Sequence, residues 1–133
     1  MKKNNKGFTL IEVIITLSII AIISLILIPT VNTLIEKQNE NSINNFIESI
    51  ETSALNYAKE NKWQLGINCS DNQNTITVTL KYLLENDYIK GTEENNVKVI
   101  KNPVTKENIN LDKTVTITYN CENKTFSSTF TLQ

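Results

Sequence analysis

Glu12 is the only ionisable side chain among the 21 residues from Phe8 to Ile28. A carboxylate near the bilayer interior costs on the order of 2–3 kcal/mol, so such a residue needs compensation. A cationic partner in low dielectric is one source of it, and reach to headgroups and water at an interface is another. Cys69 and Cys121 are the second reactive set, readable as a disulfide or as two thiols, because one sequence does not show whether the sulfurs meet. Other chemistry finds little footing. Histidine and arginine are absent, which excludes imidazole general-base catalysis and His-ligated metal sites. The three glycines are scattered, so no loop cradles phosphate, and Asp71, Asp87 and Asp112 fit no calcium-loop spacing. Glu93-Glu94 reads as a solvated turn rather than an acid/base pair. The expectation is a chain with no catalytic residue, no cofactor and no metal.

The element that must position Glu12 is the apolar run itself. As a helix, Phe8 to Ile28 spans roughly 30 Å of hydrocarbon, enough to cross a membrane. Lys2, Lys3 and Lys6 in front of it would also suit a secretory signal peptide, but Leu25-Ile26-Leu27-Ile28-Pro29-Thr30-Val31-Asn32 offers no small-x-small cleavage site. The first cysteine, Cys69, is too far along to accept a lipid. The run therefore stays in the mature protein. Pro29 has no N–H for a helical bond, which predicts a kink or helix break there.

Lys6-Gly7-Phe8-Thr9-Leu10-Ile11-Glu12 followed by an apolar helix resembles the class III leader of type IV prepilins and pseudopilins. The resemblance implies cleavage between Gly7 and Phe8 by prepilin peptidase, followed by N-methylation of the new Phe8 amine. It implies further that Glu12 neutralises a Phe8 amine, four residues away on the same helical side, when a subunit docks into a filament. By the same resemblance the stretch before Pro29 can lose helicity on packing. Assembly would then require an ATPase and a platform protein.

Beyond Pro29 the pattern becomes striped. Val31, Leu34, Ile35, Ile43, Phe46, Ile47, Ile50, Ala54, Tyr57 and Ala58 recur at helical spacing, predicting an amphipathic continuation to about Lys62. Glu36 to Ser42 interrupts the stripe with a wholly polar stretch. In the remainder, Thr77 or Thr79 is expected to cap a short helix near 79–86. Gly91 opens a polar turn and Val97 to Ile100 suits a strand. Val115-Ile117-Tyr119-Cys121 and Phe126-Ser128-Phe130-Leu132 alternate as a β-hairpin with one apolar face. Leu80 to Gly91 with Asn102-Pro103-Val104-Thr105 resembles the leucine-rich turn, Gly-Tyr pair and Asp-Pro turn of Gram-positive pilin-like subunits. Asp87 stands before Tyr88 and Asn102 before Pro103, which departs from that pattern.

The fold class expected is therefore α+β and pilin-like, a long N-terminal helix packed against a small C-terminal antiparallel sheet. Its parts are a cleaved leader, 1–7; a membrane-spanning and filament-core helix, 8–28; its amphipathic continuation, 29–62; and a globular head, 63–133. Both cysteines lie in the head, facing an oxidising exterior, where a bridge would close a loop of about 50 residues and contribute ~2–4 kcal/mol. Asn68-Cys69-Ser70 and Asn123-Lys124-Thr125 match glycosylation triplets but carry little weight beside a prokaryotic leader.

The chain has 13 lysines against 14 carboxylates, and loss of the leader would leave 10 against 14. Direct nucleic-acid binding is thus not expected, and Lys98, Lys101, Lys106 and Lys113 read as a solvated surface. The functional expectation is a prokaryotic single-pass membrane precursor that becomes a subunit of an extracellular, homopolymeric type IV pilus or similar filament. Two alternatives stand beside it. One is a pseudopilin or minor pilin of a type II secretion or competence system. The other is an uncleaved, surface-anchored sensor or adhesin.

Overall fold

The computed structural model describes residues 7–67, 69 and 73–132, with the side chains of Pro29 and Gln73 left aside. Lys2, Lys3 and Lys6, Asp71, and most of the Asn68-Cys69-Ser70 triplet lie outside the described residues. The chain is α+β, with helix α1 (Leu10–Glu60) followed by β1 (Gln73–Thr79), α2 (Leu80–Glu85), β2 (Thr92–Glu94), β3 (Val97–Val99), β4 (Thr114–Asn120) and β5 (Thr125–Thr129). It divides between Asn39 and Glu40 into two units, and α1 contributes to both.

In the first unit α1 is apolar from Leu10 to Ile28 apart from Glu12 and its hydroxyl residues, and its large apolar side chains are exposed. Its hydroxyls are satisfied within the helix: Thr16, Ser18 and Ser24 donate to the carbonyls of Val13, Ile14 and Ile20 at 2.7–2.8 Å. These bonds turn polar groups inward and leave a hydrocarbon surface. Helical structure continues through Pro29, so the break that the proline predicts is not present in this chain. Proline removes a single N–H donor, and on its C-terminal side the Thr30 hydroxyl reaches the Ile26 carbonyl at 3.3 Å.

In the second unit the C-terminal part of α1 supplies Ile50, Ala54 and Ala58, each at most 1% exposed. Their three- and four-residue spacing puts them on one stripe, against Val78, Val115, Ile117 and Phe130 of the strand segments and Leu80, Leu83 and Leu84 of α2. The alanines permit close approach of the helix to the core. Glu51 fastens the same side: its carbonyl accepts from the Ser128 hydroxyl at 3.0 Å, and its carboxylate accepts from the Phe130 N–H at 2.8 Å. That second bond gives a reason for β5 to end at Thr129 rather than run to Leu132 as the alternation suggested. The Phe130 N–H is committed to Glu51. Nearby, Tyr88 donates to the Glu60 carboxylate at 2.8 Å, which holds its phenol above the ordinary value.

The main sheet has order β1-β4-β5, antiparallel throughout. β1 is a strand that sequence reading absorbed into the approach to α2, although Thr75-Ile76-Thr77-Val78-Thr79 alternates with β-branched residues. Thr79 ends the strand and caps α2, its hydroxyl accepting from the Tyr82 N–H at 3.2 Å. The polar turn expected after Gly91 is instead β2, paired with β3 as a second small sheet. Asn95 and Asn96 between them have φ of 50° and 64°, the pair of left-handed residues that a two-residue hairpin requires. Gly91 is needed for space, since a Cβ there would sit 2.7 Å from Leu84 Cδ1 and 2.8 Å from the Val99 carbonyl oxygen.

The two departures from the pilin-like pattern are chemically equivalent replacements. Asp87 adopts φ 58° where α2 ends, with Tyr88 N–H bonded to the Leu83 carbonyl and Asp87 N–H to that of Leu84. This is the left-handed helix terminator that glycine usually supplies, and aspartate tolerates it. Its carboxylate also pairs with Lys98 at 2.6 Å. Asn102 accepts from the backbone N–H groups of Val104 and Thr105 at 2.9 and 3.1 Å, the turn-forming role of an aspartate before proline.

Candidate functional site

The residues that carry the leader motif occupy the start of α1. Gly7, Phe8 and Thr9 are exposed and outside regular structure, and the helix begins at Leu10. The Gly7–Phe8 bond therefore stands directly before the first helical turn, with the Phe8 residue 82% exposed. A Cβ added at Gly7 would meet nothing within 4 Å. Among the described residues nothing would obstruct a side chain at that position.

Thr9 sets where the helix starts. Its carbonyl accepts from the N–H groups of Glu12 and Val13 at 3.1 and 3.3 Å, and its hydroxyl lies 3.4 Å from the Glu12 nitrogen. Thr9-Leu10-Ile11-Glu12 is thus an N-cap with glutamate at the third helical position, a spacing that also places a negative charge at the positive end of the helix dipole. The signal was present in the sequence as Thr-x-x-Glu ahead of an apolar run. Sequence reading treated those residues as a recognition motif and did not see the cap.

Glu12 itself is exposed, and among the described residues its carboxylate has neither hydrogen-bond nor ion-pair partner. Thr9, Thr16, Ser18 and Ser24 are satisfied within the helix, so the Glu12 carboxylate is the one side-chain polar group between Phe8 and Ile28 left to an outside partner. α1 contains a window of mean hydropathy 2.9, wholly unburied, and it is the one helix among the described residues long and apolar enough to cross a membrane.

The remaining site residues lie elsewhere. Pro29 is within α1. Cys69 and Cys121 are joined as a disulfide with Cα atoms 5.8 Å apart, tying the segment after α1 to the residue that follows β4. Lys62 donates to the Tyr119 hydroxyl at 3.0 Å and stands 4.8 Å over its ring, reinforcing the same connection. The lysines that adjoin in sequence each have a partner of their own. Lys98 pairs with Asp87, Lys101 with Glu94, Lys106 donates to the Pro103 carbonyl and Lys113 to that of Leu132. They form no basic stripe. Among the described residues no group of three or more acidic or cysteine side chains could hold a metal.

Residues 2–28 match the sequence profile of the family described as the prokaryotic N-terminal methylation motif. Comparison with curated proteins and with solved structures finds no match.

Proposed function

We propose that this chain, whose N-terminus is the class III prepilin leader of type IV pilins and pseudopilins, is a structural subunit of a type IV pilus or pilus-like filament. The observation that supports this best is the pairing of that leader with an unburied apolar helix whose Glu12 has no partner in its own chain. In the precursor the helix lies in lipid and Lys2, Lys3 and Lys6 hold the leader on the cytoplasmic side. Prepilin peptidase cuts Gly7–Phe8, where the chain is exposed and not yet helical. The new Phe8 amine is then methylated and keeps its positive charge.

Glu12 acts next. A charged carboxylate already held in lipid, away from water, is stabilised by a neighbouring subunit's Phe8 amine, because the low dielectric leaves the attraction unscreened. Docking therefore selects a correctly registered helix. Lipid contacts of Phe8 to Ile28 are replaced by helix–helix contacts of similar apolar character, so polymerisation is driven by an assembly ATPase through a platform protein. Helix loss before Pro29 belongs to this packed state. Pseudopilins and minor pilins share the leader; abundance in shed filaments separates them from a major subunit.

The deciding experiment is N-terminal sequencing and intact-mass measurement of protein sheared from cells. A chain starting at N-methylated Phe8 in the sheared fraction is expected. A chain starting near Met1 and confined to membranes would leave an uncleaved surface anchor and overturn the proposal.

A further inference from the structure

Trp63 is the sole tryptophan of the chain, and it stands 94% exposed, leaving a large apolar ring in water. Its neighbours hold it there. Lys62 reaches the Tyr119 hydroxyl at 3.0 Å, the N–H groups of Gln64 and Leu65 bond the Asn61 carbonyl at 2.9 and 3.2 Å, and Leu65 packs against the core. The head also carries an open hollow of about 430 Å³, with Leu84, Val97 and Leu111 as its apolar lining and Lys81, Glu85 and Asn96 as its polar rim. Neither Trp63 nor its neighbours Lys62, Gly66 and Ile67 line it. The fold builds this hollow in advance. Helical spacing puts Lys81, Leu84 and Glu85 on one side of α2, the Lys81 N–H bonds the Leu111 carbonyl at 2.9 Å, and the Lys98–Asp87 pair at 2.6 Å ties β3 to the chain just beyond α2. Val97 is left 58% exposed. Two charges complete the pattern. Lys59, four residues before Trp63, and Glu85 on the rim are both exposed, and neither is in an ion pair among the described residues.

We infer that Trp63 of one copy of this chain seats in the Leu84–Val97–Leu111 hollow of a second copy, with Lys59 beside the ring facing Glu85 on the rim. Charge complementarity selects this occupant: the unpaired cation travels with the ring and the unpaired carboxylate waits at the edge of the hollow. The chemistry of the ring agrees. An indole has an apolar body and one donor, Nε1–H, and the hollow sets the acceptors of Glu85 and Asn96 around an apolar floor. Tryptophan seated in a pocket is also among the side chains that most often carry interface energy. Ring and hollow are different places on one head, so the contact is heterologous and repeats from copy to copy. One ring buries about 150–250 Å², far below the ~1,200 Å² at which stable complexes begin. The contact therefore staples heads that their helices already bring together. Its repetition along a filament rests on the function proposed above; the seating of Trp63 does not.

Because Trp63 is the sole tryptophan, its fluorescence reports the contact directly. The test uses the full-length chain reconstituted through α1 into neutral phosphatidylcholine vesicles at rising protein density, which crowds the heads without peptidase or ATPase. Emission should shift to the blue and lose its quenching by acrylamide as density rises, and both changes should reverse on dilution with excess lipid. Val97→Lys, at an exposed position, should raise the density needed for half the shift about tenfold. Lys59→Glu or Glu85→Lys alone should raise it about threefold, the scale of an exposed ion pair, and the two exchanged in one chain should restore it. Absence of a shift in dense vesicles, a shift undiminished by Val97→Lys, or a charge exchange that restores nothing overturns the assignment. A shift that survives dilution places the indole in lipid and overturns it as well. Cleavage at Phe8 is scored separately on protein sheared from cells, so failure of the filament reading and of this one are distinguishable.

Discussion

The two units of this chain solve the problem of polar groups in opposite ways. In the head, described from Glu40 onward, no buried side-chain nitrogen or oxygen lacks a hydrogen-bond partner, and even exposed charges such as Asp87 and Lys98 are paired. In the N-terminal unit the hydroxyls of Thr16, Ser18 and Ser24 are equally well satisfied, yet Glu12, the single carboxylate between Phe8 and Ile28, is left alone and the apolar window around it is unburied. A region that completes its own contacts is a finished fold. A region that is apolar and buries nothing is left to surroundings outside its own chain. The stability of this protein therefore resides in the head and its proposed activity in the helix, and substitutions in the two should separate cleanly.

The largest effect expected is on assembly. Glu12→Leu removes the one carboxylate between Phe8 and Ile28, and filament yield in the sheared fraction should fall by about a hundredfold, the scale of a lost low-dielectric ion pair. Thermal unfolding of the head should be unchanged, because the carboxylate touches nothing there. Normal yield from Glu12→Leu would break the comparison. Glu12→Gln sharpens it, since an amide keeps hydrogen bonding but cannot neutralise an amine.

The second effect falls on the head alone. Cys69→Ser opens the link between the segment after α1 and the end of β4 and should cost ~2–4 kcal/mol, read as a lower denaturation midpoint of oxidised protein. Lys62 and Tyr119 still connect the same regions, which places the loss toward the lower part of that range. Peptidase cleavage of the variant at Gly7–Phe8 should proceed normally. A variant as stable as wild type would show that the bridge closes a loop already ordered by Tyr119 and Lys62.

How far the sequence revealed this division depends on the type of signal. The apolar run, its lone carboxylate and the stripe of Ile50, Ala54 and Ala58 are periodic patterns, and they were legible because burial enforces period. The hairpin of β4 and β5 was legible for the same reason, whereas the cap of α2 was narrowed only to Thr77 or Thr79. β1 was missed because its apolar residues run without a break into those of α2, and the boundary is a hydroxyl acting locally. β2 was missed because Glu93-Glu94-Asn95-Asn96 is polar throughout, and what makes it a hairpin is the left-handed tolerance of two asparagines. The register of the β1-β4-β5 sheet was invisible in one dimension. Thr75, Thr118 and Ser127 become neighbours only through register, which no single strand displays.

The smallest effect concerns that second sheet and acts through pH. Lys101 and then Asn108 donate to the Glu94 carboxylate, and both bonds favour its ionised form, which holds its pKa below the ordinary carboxylate value. A depressed folded-state pKa means that the unfolded chain takes up the proton first. The contribution of Glu94 is therefore complete above the ordinary carboxylate range near pH 4 and is lost as pH falls through the folded value. Protonation of Glu94 therefore removes the carboxylate partner of Lys101 beside β2 while the Asn95-Asn96 turn is untouched. Opening should be local. Hydrogen exchange at Val97 and Val99 should quicken below about pH 4 before the β1-β4-β5 amides respond. Glu94→Gln should show the faster exchange already at neutral pH and lose this acid dependence. An unaltered acid profile in Glu94→Gln would show that Glu94 is not the source of the pH response.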